Sequence, residues 1–391
     1  MLEANGKPCL KPLLRLELLT GEDHRAVKSL LSSQEGIFQV SLRPQPGETR
    51  STLATRPIPC DITYDVMGIP QRSSRPRTDL EGDRKMLQAF KDLHWRRDIA
   101  LKQYLVPETL PEALKMLEQY KGRARVIAGG TDVMVELRRR DYEVEALVDI
   151  TRIQGMGGIE FQWDRIVLGG GVTHAQTAAS PLIREKAGLL AEGCAAMGSP
   201  QIRSIATVAG NLVSGQPAAD AAIPLLALDA QVTIASTNGT RVVGLSDFFL
   251  DVGKTVVDPR REILTSIEFK PLDADQGGGF LRLSKRRALS LPMLVCAVVV
   301  TLDKARQAIA DAAIALGPVA PTPFRSRRIE DAIKGKPASL ETLQQVAENA
   351  SAYCSPRDSL LRGSCDYRQE MVKVLVKRGL RKALEQAGCV L

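Results

Sequence analysis

The chain has 391 residues, about two to three times the usual domain size, so at least two hydrophobic cores are expected. No apolar run approaches the roughly 20 residues that cross a bilayer, which argues against a membrane span. The net charge of +8 is spread along the chain and is not interleaved with aromatic residues, so the pattern argues against nucleic-acid binding.

Residues 1–95 differ from the rest because they are rich in Pro, Arg and Ser and show little sustained periodicity. Short apolar stretches predict strands at 13–19 and 37–42, and a helical pattern covers 79–90. We therefore expect an N-terminal extension, to which the pattern assigns no role. Its start carries no secretory signal, which predicts a cytoplasmic protein.

A regular pattern begins near residue 99. Thr109 and Glu112 have capping-box spacing and predict the start of a helix. Alternating strand and helix signals follow, with strands at 125–128 and 146–150, a helix at 133–140, and a hairpin at 158–161 and 165–168. Further on we expect a helix at 181–197, a loop-rich stretch at 201–217, a buried helix at 218–228, a strand at 230–236 and a hairpin turn at 237–240.

Beyond a glycine-rich segment at 270–279, the pattern changes. It predicts strands at 279–284 and 294–302 and then helices at 325–334, 339–352 and 367–387. A run of strands followed by helices indicates a separate α+β domain.

The segment 128–132 (Ala-Gly-Gly-Thr-Asp) joins a predicted strand to a predicted helix. Unhindered backbone N–H groups at such a place favour an anion such as a pyrophosphate, although a plain tight turn fits equally well. The segment 207–211 (Thr-Val-Ala-Gly-Asn) is a second stretch of small residues. Two such segments, far apart in the chain, suit a dinucleotide, because a mononucleotide needs only one.

Asp220 opens an apolar helical pattern. Such a carboxylate either stabilises the helix N-terminus or accepts hydrogen bonds from polyol hydroxyls, and both interpretations stay open.

The usual catalytic and metal-binding patterns are missing. The three histidines form no nucleophile pattern, and we expect His174 to be a structural hydrogen-bonder. The seven cysteines form no Cys-x-x-Cys pair, so the sequence predicts free, mostly buried thiols with neither zinc nor an iron–sulfur cluster. Any chemistry must then come from a cofactor.

From about residue 97 onward the chain resembles the FAD-binding medium subunit of the molybdenum hydroxylases, the family of xanthine dehydrogenase and carbon monoxide dehydrogenase. The resemblance rests on several motifs in one order: residues 128–132, 169–174, 202–211, 217–220, 262–267, 285–289 and 361–368.

The resemblance implies an α+β fold. It comprises a two-subdomain FAD-binding domain of the PCMH/VAO-like type at 96–275 and a C-terminal α+β domain, similar to that of the carbon monoxide dehydrogenase flavoprotein, at 276–391. By position, the implied FAD contacts are Ala128, Gly129, Gly130, Thr131, Asp132, Val133, Met197, Thr207, Gly210, Asn211, Asp220, Ile263, Leu264 and Arg282.

Those residues have distinct implied roles. The 128–133 backbone and Asn211 would hold the pyrophosphate, and Asp220 would bind hydroxyl groups. Met197, Ile263 and Leu264 would pack near the flavin ring. Three positions depart from what family members often carry: Ala209 replaces a glycine, Met197 replaces an aromatic residue found in some members, and Arg282 replaces a lysine.

The resemblance also implies partners: a molybdopterin-binding large subunit, a small subunit with two [2Fe–2S] clusters, and NAD or another electron acceptor. This chain would then be the electron-transferring flavoprotein subunit. A non-catalytic flavin-binding or assembly protein is the alternative from another class. The substrate and the acceptor are not written in the sequence.

Overall fold

The structure is a computed structural model that describes residues 2–4, 38–40, 62–64, 70–72, 101–139, 144–286, 288–359 and 363–391. The chain divides into two compact units, Met1–Phe90 and Lys91–Leu391. The first unit contains two antiparallel strand pairs, β1 (Leu2–Ala4) with β2 (Phe38–Val40) and β3 (Ile62–Tyr64) with β4 (Pro70–Arg72). The strand predicted at 37–42 is confirmed by β2, whereas the predictions at 13–19 and 79–90 lie outside the described residues.

The second unit begins with a three-stranded parallel sheet in the order β5-β7-β6. Its elements are β5 (Gln103–Leu105), α1 (Leu110–Gln119), β6 (Ala124–Ile127), α2 (Val133–Arg139) and β7 (Ala146–Asp149). Thr109 caps α1 by accepting from the Glu112 N–H, as its spacing predicted. The Glu112 carboxylate accepts from the Glu108 N–H rather than from that of Thr109.

A five-stranded antiparallel sheet follows, in the order β11-β10-β14-β9-β8. Its strands are β8 (Ile159–Gln162), β9 (Arg165–Gly169), β10 (Gln231–Ser236), β11 (Gly239–Gly244) and β14 (Ile263–Phe269). A 3₁₀ turn (Leu245–Asp247) and the pair β12 (Phe249–Asp251) and β13 (Lys254–Thr255) lie between β11 and β14. Both predicted hairpins are confirmed.

Six short helices connect β9 to β10. They are α3 (His174–Ala179), α4 (Pro181–Lys186), α5 (Gly188–Ala196), α6 (Pro200–Ile205), α7 (Val208–Val213) and α8 (Ala222–Ala227).

The sequence predictions were least accurate in this region. The helix predicted at 181–197 is broken at Ala187, whose φ of −153° is not helical, just before Gly188 with its low helix propensity. The loop predicted at 201–217 contains α6 and α7, because the Ser199 and Thr207 hydroxyls each cap a helix. Asp220 precedes α8 rather than opening it.

The C-terminal part contains a four-stranded antiparallel sheet in the order β15-β16-β17-β18, with helices packed on it. Its elements are β15 (Gln276–Leu283), β16 (Leu294–Leu302), β17 (Ile309–Gly317), β18 (Phe324–Arg325), α9 (Arg327–Ile333), α10 (Leu340–Ala350), a 3₁₀ turn (Ser351–Tyr353) and α11 (Cys365–Gln386). The three predicted helices are confirmed, and β17 had no sequence prediction. A Cβ on Gly277 would lie 2.0 Å from the Ala383 carbonyl oxygen, so this strand needs glycine where α11 crosses it.

The largest hydrophobic core contains residues of both the five-stranded sheet and the C-terminal sheet. It includes Ile166, Leu190 and Phe269, and also Phe280 and Val295 from the C-terminal sheet. A second core lies between that sheet and α9–α11. In the part of the chain that the structure describes, no helix is both long and apolar enough to span a membrane. Of the described cysteines, Cys194, Cys296 and Cys354 are buried free thiols and Cys365 and Cys389 are partly exposed ones.

Candidate cofactor-binding site

A cavity of about 710 Å³ lies between the end of β6, the start of α7 and the turn before α8. This volume falls in the range of sites for small molecules and cofactors. Every residue predicted to contact FAD lines it except Ile263 and Arg282. The two glycine-bearing segments, which are about 80 residues apart in the chain, therefore meet at one cavity.

The first segment turns sharply between β6 and α2. A Cβ on Gly129 would lie 1.9 Å from the Ile205 carbonyl oxygen, so only glycine allows this approach to α6. Gly130 has a φ of +68°, a conformation that favours glycine. Its carbonyl accepts from the Met134 N–H at 3.0 Å. The turn is thus held by backbone contacts.

The second segment is the start of α7. The Thr207 hydroxyl accepts from the Gly210 N–H at 3.0 Å, and Thr207 forms a bridge with Thr173. The Asn211 side-chain oxygen accepts from the Ala221 N–H at 3.3 Å. Thr207 is thus held at the start of the segment, and Asn211 ties its end to the turn that carries Asp220.

The Asp220 carboxylate lies where that turn meets the C-terminal sheet. The Arg282 Nε donates to its Oδ1 at 2.8 Å, and the two side chains are only 9% and 6% exposed. Burial raises the pKa of Asp220, and the hydrogen bond and the charge of Arg282 oppose this rise. Among the described residues, Arg282 provides the carboxylate's only hydrogen bond. The other oxygen, Oδ2, makes no hydrogen bond with the described residues.

Two predicted contacts do not line the cavity. Ile263 is 1% exposed and packs in the core beneath the parallel sheet, opposite Ala235 on β10. Its neighbour Leu264 does line the cavity, as the alternation of a strand requires. Arg282 reaches the site through Asp220, and its Nη2 also donates to the Ser290 carbonyl.

The cavity includes residues that the predicted contact set lacked. Gly170 and Leu289 belong to motifs noted in the sequence, but Leu291, Val257 and Pro259 had no signal. Leu289 and Leu291 are 61% and 64% exposed. Sequence periodicity could not predict these two exposed leucines, because their position at the cavity depends on how the whole chain folds.

Two ionisable side chains near the glycine segments have shifted pKa values. Burial, and then the negative charge of Glu136, raise the pKa of Asp132. Burial, and then the positive charge of Arg203, lower the pKa of His174 to about 4, while the Thr207 backbone acts weakly in the opposite direction. The His174 imidazole is fully buried, and neither ring nitrogen has a hydrogen-bond partner of normal geometry, although the Thr207 backbone lies close to it. The expected structural hydrogen bond instead comes from its backbone N–H, which donates to the Ala206 carbonyl.

The residues present fit a dinucleotide. Two turns without bulky side chains face one cavity, and a partly satisfied carboxylate lies beyond them. In the described residues there is no cluster of three or more potential metal-binding side chains. The site therefore offers backbone donors for phosphates and a carboxylate acceptor for hydroxyls.

Comparison with known proteins agrees with this geometry. Residues 98–271 match the FAD binding domain in molybdopterin dehydrogenase, and residues 280–383 match the CO dehydrogenase flavoprotein C-terminal domain. The carbon monoxide dehydrogenase medium chain of Hydrogenophaga pseudoflava is 30% identical over 72% of this chain and 96% of the relative. A putative xanthine dehydrogenase FAD-binding subunit of Escherichia coli is 29% identical over 72% of this chain and 95% of the relative.

Solved structures give the same result. The carbon monoxide dehydrogenase of Hydrogenophaga pseudoflava that lacks the Mo-pyranopterin moiety has a chain that superposes with a TM-score of 0.69 at 29% identity, covering 73% of this chain and 98% of that one. The fold and the cavity define an FAD-binding flavoprotein subunit of an oxidoreductase. The chain belongs to the family of FAD-binding medium subunits of the molybdenum hydroxylases, to which xanthine and carbon monoxide dehydrogenases belong.

Proposed function

We propose that this chain is the electron-transferring flavoprotein subunit of a multi-subunit molybdopterin-dependent hydroxylase or dehydrogenase. Its partners would be a molybdopterin-binding large subunit and a small subunit with [2Fe–2S] clusters, and NAD or another acceptor would receive the electrons. Bound FAD would supply the redox chemistry, because a flavin can exchange electrons with both one-electron and two-electron partners. The convergence of both glycine segments on one cavity carries this proposal.

The chain's own residues would bind and orient the cofactor. The backbone of Ala128–Val133 and Asn211 would hold the diphosphate, Gly210 would leave room for it at the start of α7, and the Thr131 and Thr207 hydroxyls would add polar contacts. Asp220 would accept from ribityl or ribose hydroxyls. Met197 and Leu264 would pack against the flavin ring, with Ile263 behind them and Arg282 acting through Asp220.

The domain limits and the location are part of the same proposal. Residues 96–275 would form the FAD-binding domain and 276–391 the C-terminal flavoprotein domain, with 1–95 as an extension whose role is open. The location would be cytoplasmic.

Purification of the chain tests the proposal. The protein should be yellow, release FAD on denaturation, and have its flavin reduced by NADH or by a partner complex. A colourless or redox-silent preparation would instead favour the alternative, a non-catalytic flavin-binding or assembly protein. Co-purification from the native source with a molybdenum-containing large chain and a cluster-bearing small chain tests the partners.

A further inference from the structure

Part of the cavity's rim is formed by three consecutive residues of the C-terminal part, Leu289, Ser290 and Leu291, here called the 289–291 wall. Two features of this wall are energetically unfavourable. Its leucines are 61% and 64% exposed, and Leu289 has a φ of +53°, which a leucine seldom adopts. An exposed apolar segment in an unfavourable backbone conformation needs specific contacts to hold it.

Among the described residues, the wall has few hydrogen bonds with the rest of the protein. The Leu289 N–H donates to the Gly198 carbonyl at a long 3.4 Å. Arg286 donates to the Leu289 carbonyl and the Ser290 hydroxyl donates to the Arg286 carbonyl, but these bonds stay within the same turn. The strongest link outward is the charge-assisted hydrogen bond from Arg282 Nη2 to the Ser290 carbonyl.

Arg282 is itself fixed through a second nitrogen. Its Nε donates to Asp220 Oδ1 at 2.8 Å, and both side chains are buried. A guanidinium can serve two acceptors in a rigid planar arrangement, whereas a lysine ammonium at the end of a flexible chain cannot reproduce this fork. The arginine therefore connects the carboxylate inside the cavity to the wall at its rim.

We propose that Arg282 is a positioning residue that holds the 289–291 wall by joining the Ser290 carbonyl to Asp220, so that the order of the wall and the binding of cofactor at Asp220 depend on each other. This inference rests on the proposed function, since Asp220 is the expected acceptor for the cofactor's hydroxyls. A cofactor hydroxyl on the second Asp220 oxygen would favour the ionised carboxylate and thereby strengthen its bond to Arg282. The wall would be firmest when cofactor is bound.

Arg282→Lys separates the two halves of this link, because the positive charge beside Asp220 is kept and the second acceptor is lost. Arg325→Lys is a matched control. Arg325 is also 9% exposed and is also paired at 2.8 Å with a carboxylate that is 6% exposed, Glu330. Neither Arg325 nor Glu330 lines the cavity.

The experiment is hydrogen–deuterium exchange of the full chain, followed on peptides that cover residues 284–293, with and without FAD. We expect Arg282→Lys to speed exchange there by about tenfold, the effect of losing one charge-assisted hydrogen bond. Arg325→Lys should lower the melting temperature and leave exchange in these peptides unchanged. FAD should slow their exchange in the wild type and have much less effect in Arg282→Lys.

Three results would overturn the proposal: unchanged exchange in Arg282→Lys, an equal rise in Arg325→Lys, or, in a wild type that is shown to bind FAD, exchange that FAD does not alter. Asp220→Asn, which weakens the same link from its other end, is the second variant and should also speed exchange at 284–293. The outcome is distinguishable from failure of the proposed function. A wild-type chain that binds no FAD would refute the cofactor site, while the effect of Arg282→Lys on the FAD-free chain would still decide the role of Arg282.

Discussion

Two buried arginine–carboxylate pairs, one at the cavity and one in the C-terminal part, differ in the number of protein donors that their carboxylates have. Glu330 accepts from the Ile314 N–H, from Arg325 and from Arg327, so both of its oxygens have protein donors. Asp220 accepts from Arg282 alone among the described residues. Because buried carboxylates are normally fully hydrogen-bonded, this difference supports the proposal that a ligand hydroxyl binds at Asp220 and not at Glu330.

The glycines of the two regions differ in the same way. Gly129 and Gly277 would each place a Cβ about 2 Å from a backbone carbonyl oxygen, of Ile205 and of Ala383 respectively. The close approach at Gly129 shapes the cavity, and that at Gly277 packs α11 on β15. A glycine required by close backbone packing therefore does not by itself indicate a binding site. It supports one only where the packed backbone also lines a cavity.

The largest effect is expected from Gly129→Val, because the added side chain cannot fit against the Ile205 carbonyl and would displace the 128–132 turn. Flavin retention should be lost completely while the C-terminal sheet stays folded. Flavin content and far-ultraviolet circular dichroism measure this result. Gly157→Val is the control, since a Cβ there meets nothing within 4 Å.

Gly277→Val sharpens the comparison from the other side. Overpacking of a core backbone contact costs about 3 kcal/mol or more of unfolding free energy, so this variant should be destabilised as a whole. Denaturant unfolding measures the loss. Retention of full stability would mean that α11 moves away from β15 more easily than the structure indicates.

Asp220 and Glu330 provide a further test of the comparison. Removing one partner of a buried ion pair costs about 3–5 kcal/mol, so Glu330→Ala should be strongly destabilised, yet the folded fraction should bind FAD with normal affinity. Asp220→Asn keeps the side chain's shape and should instead weaken FAD affinity by about tenfold. The comparison between the two carboxylates fails if Glu330→Ala weakens FAD binding in the folded state as much as Asp220→Asn does.

His174 predicts a smaller, pH-dependent effect. Its pKa is about 4 in the folded chain against 6.5 when unperturbed, so the unfolded chain binds the extra proton first as the pH falls. Stability should therefore fall between pH 6.5 and 4. The difference of about 2.5 pKa units corresponds to at most about 3–4 kcal/mol. Unfolding free energies of His174→Gln should depend less on pH over this interval, and an identical pH profile would show that His174 does not contribute.

The smallest expected effect comes from Thr207→Ala. The variant loses the hydroxyl that caps α7, which typically costs about 1 kcal/mol, and the start of the helix at Gly210 should become less ordered. FAD affinity should fall by a few-fold while overall folding is kept. Thr109→Ala, which removes the cap of α1 away from the cavity, is the matched control and should lose similar stability with no loss of affinity.

The sequence predicted the fold and the site to different extents. Periodicity and capping located most strands and the longer helices, because these signals are local. The same signals missed α6 and α7, because the caps of such short helices resemble loop residues. They also placed Asp220 on a helix that begins two residues after it. The 128–132 and 207–211 segments were recognised because glycine requirements appear in the sequence itself.

The remaining features depend on tertiary packing. Nothing local to Arg282 predicts that its guanidinium links Asp220 to Ser290, since the three residues belong to different segments of the chain. The buried, unpartnered imidazole of His174 and the exposed leucines of the 289–291 wall are likewise consequences of which elements meet.

The central claim is that two glycine segments hold one dinucleotide diphosphate. The most direct test is to titrate flavin-free protein with FAD and with FMN and to measure both affinities by isothermal titration calorimetry. FMN lacks the second phosphate and the adenosine, so the account predicts that FAD binds at least about 100-fold more tightly, and that Gly210→Val removes most of this preference. Equal affinity for FAD and FMN, or a preference that survives Gly210→Val, would contradict the account.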